Sequence, residues 1–195
     1  MSTQFFRTAI VFFLVSVFTA CSSFSRASTP SQAGIENEEQ AVYAVFARQG
    51  KGLALLLEST SLDLSMGDPK QIAEYMRSGF PSISKEAIDS LLKRNEGPTQ
   101  LSAEMQLGVD YVLLSAEELA EISSQPNWHE VLNQKYPGSD GYLIFSRVGF
   151  NQTLDQAVVY AGKVAGPLMG SGSYYLLEKQ DGEWSIKQEL MTWIS

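Results

Sequence analysis

The chain has 195 residues, of which 44% are hydrophobic and 18% charged, and this is the composition of a globular protein. Residues 1–20 contain one basic and no acidic residue, so the net charge of -8 becomes -9 without them. A surface this acidic repels phosphate backbones and anionic lipid headgroups, so we expect no nucleic-acid partner. With one cysteine and one histidine, zinc sites built from several such ligands are excluded, and we predict neither a metal nor a cofactor.

The first 20 residues have the layout of a secretory signal peptide. A positive start, which carries Arg7, precedes an apolar stretch over 8–20 that ends in small residues. As a helix, this stretch would extend about 20 Å, short of the roughly 30 Å hydrocarbon core of a bilayer. We therefore predict a signal peptide over 1–20 rather than a membrane-spanning helix.

The single cysteine, Cys21, directly follows this stretch in the segment FTAC. The segment resembles the lipobox of bacterial lipoproteins, although Phe18 stands where that family usually has leucine. The resemblance implies that Cys21 carries acyl chains, each of which contributes about 0.8 kcal/mol per buried methylene to membrane binding. Ordinary cleavage that leaves a free thiol is the alternative. Because Ser22 stands where retained lipoproteins have aspartate, we predict a lipid-anchored protein of the bacterial cell envelope, on the outer membrane facing the periplasm if there are two membranes.

A tether and a mainly helical half follow the anchor. Residues 21–35 are rich in serine, which predicts a flexible linker before a single domain over 36–195. The apolar run 53–57 fits either a strand or a helix. Spacing and capping signals predict helices over 36–49, 68–78, from 84 to about 95, 115–123 and 127–135, and a strand over 108–114.

The second half is predicted to consist mainly of strands. Asp181-Gly182, between two apolar runs, is a strong signal for a hairpin turn. The fold class that follows is α+β, with a helical N-terminal half packed on one face of a mainly antiparallel C-terminal sheet of about four or five strands. The predicted strands are 142–150, 156–162, 173–179 and 183–190.

Two resemblances concern this second half. The segments FSRVGFN, VVYAG, GPLMGSGSYYLLEKQDGEW and the final WIS resemble a family of exported bacterial proteins of unknown function. The hairpin sequence LLEKQDGEWSI is also similar to the last hairpin of NTF2-like domains, which implies a sheet curved around a pocket. Neither resemblance implies an activity.

Most residues that could take part in chemistry have a structural explanation. His129 lies on a predicted helix, and no nucleophile is placed with it by the sequence. The glycines within 166–172 lack the Gly-Lys-Ser/Thr of a phosphate loop. The acids within 36–39 lie at a helix start, where solvent and the helix dipole favour them. We therefore predict no catalytic residue.

Arg147 is the exception. In a strand over 142–150 it shares a face with Leu143 and Phe145, which predicts a partly buried cation. Such a cation needs a carboxylate, and Glu178 of the neighbouring hairpin is the candidate. Arg147 and Glu178 form either a structural ion pair or part of an anion site in a sheet-lined pocket.

Two functions fit this sequence. The first is a non-enzymatic binding or interaction module of the envelope, indicated by an anchor and a tether without a catalytic set. The alternative is a small hydrolase or isomerase with a carboxylate-lined pocket in a curved sheet, which would need two acids that face each other. The sequence identifies neither the ligand nor a protein partner.

Overall fold

The computed structural model describes residues 30–50, 52–62 and 68–195. The predicted signal peptide, Cys21 and most of the predicted tether lie outside these residues. No helix in the described part of the chain is long and apolar enough to cross a membrane. The helices are α1 (Gln32–Ala47), α2 (Pro69–Gly79), α3 (Lys85–Arg94), α4 (Ala116–Ser123) and α5 (Trp128–Lys135). The strands are β1 (Ala54–Leu57), β2 (Tyr111–Leu114), β3 (Tyr142–Phe145), β4 (Gly149–Phe150), β5 (Gln156–Gly166), β6 (Met169–Gln180) and β7 (Glu183–Ile194).

These strands form one open, mixed sheet. Its order is β2-β1-β3-β5-β6-β7, and β4 pairs with β5 outside this path. Strand β1, next to the edge strand β2, runs parallel to β2 and β3, whereas the other neighbours are antiparallel. Two helices lie between β1 and β2 and two between β2 and β3, which supply the long crossover connections that parallel neighbours need.

The predicted combination of helices and a sheet is confirmed, but the predicted sheet is wrong in strand number and direction. It has seven strands, not four or five, because β1 and β2 of the helical half join it in parallel. The ambiguous run 53–57 is the strand β1, whose Leu55 and Leu56 are buried on opposite faces. A strand buried on both faces has no polar alternation, which is the signal that distinguishes a strand from a helix in sequence.

The helices cover both faces of the sheet rather than one. Helix α1 packs on one face, around Phe46, Phe145 and Leu177. On the opposite face, α2 and α3 pack against Tyr174 of the antiparallel strands, and α4 and α5 pack through Leu132 against the parallel strands. Among the described helices, α1 is the one that covers the first face, which carries the groove described below.

The described helix starts agree closely with the sequence signals, with one exception. The caps of α2, α3 and α4 are Asp68, Ser84 and Ser115, each of which accepts a backbone hydrogen bond from the first turn. Helix α1 begins at Gln32 rather than at 36, because the Ser31 hydroxyl accepts from the backbone N–H of Gly34 at 3.1 Å. The last residues of the predicted tether are therefore helical.

The β6–β7 hairpin turns at Asp181-Gly182, as predicted, with φ angles of 52° and 87°. Replacing Gly182 by valine is expected to lower the free energy of unfolding by more than about 1 kcal/mol, because a β-branched residue is strained at positive φ. Urea denaturation measures this change. Gly97→Val is the control, since a Cβ at either glycine would meet no atom within 4 Å and Gly97 does not have positive φ. Equal losses in the two variants would contradict the predicted strain.

Candidate ligand-binding groove

Arg147 does not lie in a strand, because the predicted strand 142–150 is interrupted between β3 and β4. Asn95, at the end of α3, takes the place of a strand partner. Its side chain accepts from the Arg147 N–H at 2.8 Å and donates to the Arg147 carbonyl at 3.0 Å. The Tyr43 hydroxyl donates to the Ser146 carbonyl at 2.9 Å. Side chains from two helices thus satisfy the backbone where the strand is interrupted.

The guanidinium of Arg147 pairs with Glu39 of α1. Its Nε and Nη2 lie 2.9 and 2.8 Å from the two carboxylate oxygens. The Nη2 of Arg94 lies 2.9 Å from the same carboxylate, and the backbone N–H of Val148 donates to it at 2.8 Å. The side chains of Arg94, Arg147 and Glu39 are 17%, 18% and 8% exposed. We call these three residues the Glu39 cluster.

Burial and the charge of Glu39 shift the pKa values of Arg94 and Arg147 in opposite directions. Burial lowers the pKa of Arg94, and Glu39 offsets only part of that effect. Burial also acts to lower the pKa of Arg147, but the hydrogen bonds and charge of Glu39 outweigh it, so that pKa is raised. Burial, followed by the charge of Glu39, holds the pKa of Tyr43 well above its usual value. Both arginines stay charged around one carboxylate.

Glu178, the predicted partner of Arg147, lies on the other face of the sheet. The next residue of β6, Lys179, points toward α1 and pairs with Glu38 at 2.6 Å. Because side chains alternate along a strand, Glu178 points away from α1. Arg147 therefore pairs with Glu39 rather than with Glu178, and the Glu39 cluster ties α1 and α3 to the interrupted strand.

The cleft beside the Glu39 cluster is a poor anion site. It has a volume of about 320 Å³ and is lined by Glu36, Glu39 and Arg147, among others. Arg147 and Arg94 already share the Glu39 carboxylate, and Glu36 adds a second negative charge near Arg147. An incoming anion would have to compete with a carboxylate that is already hydrogen-bonded and desolvated.

A second concavity, which we call the sheet groove, lies between the end of α1 and strands β1, β3, β5 and β6. It has a volume of about 230 Å³, and both apolar and polar groups line it, with the polar share the larger. Small-molecule sites likewise combine apolar walls with polar groups that fix the orientation of the ligand. Its apolar lining includes Phe46, Leu53, Leu143 and Ala161, and its polar side chains are Gln49, Asp140, Lys163, Ser171 and Tyr175.

The charged groups of the sheet groove are Lys163 and Asp140, whose Nζ and Oδ2 lie 2.6 Å apart. Lys163 faces this way because it is the β5 partner of Leu143. Gly141 has a φ of 104°, and a Cβ there would lie 2.3 Å from the Val164 carbonyl oxygen, so the chain before β3 packs directly on β5. The two side chains are 42% and 61% exposed, and a pair this exposed contributes less than about 1 kcal/mol. A ligand can therefore open this pair at small cost.

Tyr175 lines the sheet groove beside Phe46, with the two ring centroids 4.9 Å apart. Its hydroxyl donates to Glu189 at 3.0 Å, and the Ser173 hydroxyl donates to the same carboxylate oxygen at 2.7 Å. Burial raises the pKa of Tyr175 to about 12, so its hydroxyl stays protonated at neutral pH. The aromatic wall is thus held in place by hydrogen bonds.

Neither His129 nor Gly172 lines this groove. His129 is half-buried on α5 beside the ring of Trp128, at 6.0 Å between centroids. Gly172 packs directly against the Trp193 ring, because a Cβ on Gly172 would lie 2.2 Å from the indole nitrogen. Close packing, and not a phosphate loop, explains this glycine. Within residues 30–50, 52–62 and 68–195, no group of three or more His, Cys, Asp or Glu is placed to hold a metal ion.

Comparison of the chain with protein-family models, with curated proteins and with solved structures finds no match.

Proposed function

We propose that the protein is a lipid-anchored binding module of the bacterial cell envelope and that the sheet groove holds its ligand. One contrast between the two concavities supports this choice. The Glu39 cluster is mostly buried and its one carboxylate is already shared by two guanidinium groups, whereas Lys163 and Asp140 form an exposed pair that a ligand can open.

The ligand that fits is a small molecule. Drug-sized ligands occupy pockets of roughly 300–1,000 Å³. The sheet groove, at about 230 Å³, is smaller than that range. Its walls come from the sheet and the end of α1, which are packed elements, so the site is largely formed before a ligand arrives.

The alternative of a hydrolase or isomerase needs two acids that face each other across a pocket. Among the described residues that line the sheet groove, Asp140 is the one carboxylate, and it pairs with Lys163. Glu189 does not line the groove and already accepts hydrogen bonds from Ser173 and Tyr175. These contacts favour binding over acid–base catalysis.

The lipid anchor is tested at Cys21. The variant Cys21→Ala is expected to move the protein from the membrane fraction to the soluble fraction or to leave it unprocessed, because the acyl chains would have no attachment point. Fractionation and mass spectrometry of the mature N-terminus measure this. Ser22→Ala is the matched control and should stay in the membrane fraction. An unmodified N-terminal residue in the native protein would disprove lipidation.

Filling the sheet groove tests the site. The full chain in detergent is screened by thermal shift against amino acids, sugars, nucleosides and short carboxylates, and the screen is repeated on Ser171→Trp. A ligand at 100 times its Kd stabilises the native state by about 2.7 kcal/mol. We expect that shift in the native chain and in the control Gln188→Trp, at an exposed position outside the groove lining, but not in Ser171→Trp. A ligand that stabilises Ser171→Trp as much as the native chain would contradict the proposed site. A screen in which no compound stabilises the native chain would contradict it as well.

A further inference from the structure

We infer that the sheet groove binds a zwitterion, a small molecule with an ammonium and a carboxylate on the same carbon atom beside an apolar group. An apolar α-amino acid is the simplest molecule of this class. This inference rests on the proposed function, in which the sheet groove is the ligand site. It is carried by the pair of opposite charges at the groove and by the apolar walls next to them.

The two opposite charges lie next to each other, as the two charges of a zwitterion do. Lys163 Nζ and Asp140 Oδ2 lie 2.6 Å apart in the groove lining. In an α-amino acid, standard bond lengths and angles place the amino nitrogen and the carboxyl carbon about 2.5 Å apart. A zwitterion can therefore lie antiparallel to the protein pair, with its carboxylate on Lys163 and its ammonium on Asp140.

This arrangement replaces one ion pair with two. A ligand that carries only a carboxylate would occupy Lys163 and leave Asp140 without its cation. A ligand that carries only an ammonium would leave Lys163 without its anion. Both single-charge ligands thus lose a partner that the free protein already has, whereas a zwitterion supplies both.

The apolar side chains of the sheet groove favour a ligand with an apolar side group. Phe46, Leu143 and the ring of Tyr175 offer apolar surface within the same groove as the charged pair. A polar side group placed against them would lose water without gaining a partner, which costs free energy. A volume of about 230 Å³ also limits the ligand to a small molecule. Leucine, methionine and phenylalanine are therefore the expected probes.

Calorimetric titration of the full chain in detergent tests the inference with three matched probes. These are leucine, 3-methylbutylamine, which lacks the carboxylate, and 4-methylpentanoate, which lacks the ammonium. We expect leucine to bind and both analogues to bind up to about fivefold more weakly, which corresponds to the loss of one exposed ion pair. In Lys163→Met, 3-methylbutylamine should bind as tightly as leucine, and in Asp140→Asn, 4-methylpentanoate should bind as tightly as leucine, because each variant removes the partner of the charge that the analogue lacks. The controls Lys85→Met and Asp89→Asn, which break another exposed ion pair, should keep the preference of the native chain for leucine.

The results separate this inference from the function on which it rests. The zwitterion inference would be overturned if either analogue bound the native chain as tightly as leucine does. It would also be overturned if leucine, methionine and phenylalanine all failed to bind. A ligand of another class that is lost in Ser171→Trp would also overturn the zwitterion, and would keep the sheet groove as the binding site. A preference for leucine over both analogues that persists in Lys163→Met and Asp140→Asn would overturn the zwitterion, and leucine binding that survives Ser171→Trp would overturn both.

Discussion

Replacing Glu39 by glutamine is expected to lower the free energy of unfolding by about 3 kcal/mol, because it removes the one negative charge between two buried guanidinium groups. The carboxylate accepts from Arg147 and from the backbone N–H of Val148 and lies 2.9 Å from Arg94. Glutamine has a similar shape, so the loss measures charge rather than packing. Urea denaturation of the native chain and the variant gives the difference.

Two further variants make this prediction specific. Asp89→Asn breaks an exposed ion pair with Lys85 and should cost less than about 1 kcal/mol. The triple replacement of Glu39 by leucine and of Arg94 and Arg147 by methionine should recover most of the loss, because no charge stays buried without a partner. A Glu39→Gln variant as stable as Asp89→Asn would show that the cluster does not hold α1 to the sheet.

Replacing Gly149 by alanine is expected to lower the free energy of unfolding by about 3 kcal/mol, at the upper end of the usual cost of overpacking. A Cβ on Gly149 would lie 2.2 Å from the Ala87 carbonyl oxygen and 2.5 Å from the Leu91 nitrogen. These are backbone atoms of α3, so no side chain can rotate away and the helix must move. Ala87 and Leu91 are fully buried, so that movement disturbs the core.

The control for this prediction is Gly97→Ala, where a Cβ would meet no atom within 4 Å. It should change the free energy of unfolding by less than about 0.5 kcal/mol, as most surface substitutions do. Thermal or urea denaturation of both variants measures the difference. A Gly149→Ala variant that unfolds at the same urea concentration as Gly97→Ala would contradict the close packing of α3 on β4.

Local signals in the sequence predict local structure well in this protein. Ser84 and Ser115 cap the helices they were expected to open, and Asp181-Gly182 forms the predicted turn. Each of these features depends on hydrogen bonds or φ angles within a few residues. The parallel pairing of β1 with β2 depends instead on two intervening helices folding back across the sheet, which no short segment specifies.

The partner of Arg147 was missed for a similar reason. Glu39 is 108 positions away in the chain and lies among acids that suggest a solvated helix start. One signal was available, because Glu39 has helical spacing with Val42, Tyr43 and Phe46, which are all buried. A charged residue on the apolar side of a helix needs a buried partner, and a long-range arginine is the natural one.

The sheet groove could not be predicted from sequence, because its lining comes from separate segments. Asp140 and Lys163 are 23 positions apart, and they meet through the antiparallel register of β3 and β5. Phe46 reaches the same groove from the end of α1. Individually these residues carry no motif, and only the sheet brings them together.

Hydrogen–deuterium exchange of the full chain in detergent, with and without a mixture of leucine, methionine and phenylalanine, tests the sheet groove as the ligand site most directly. We predict slower exchange in the segments that line it, 46–50, 53–55, 140–143, 161–163 and 171–175, and unchanged exchange around the Glu39 cluster. Exchange that is unchanged throughout, or that slows around Arg94 and Arg147 instead, would contradict a ligand site in the sheet groove.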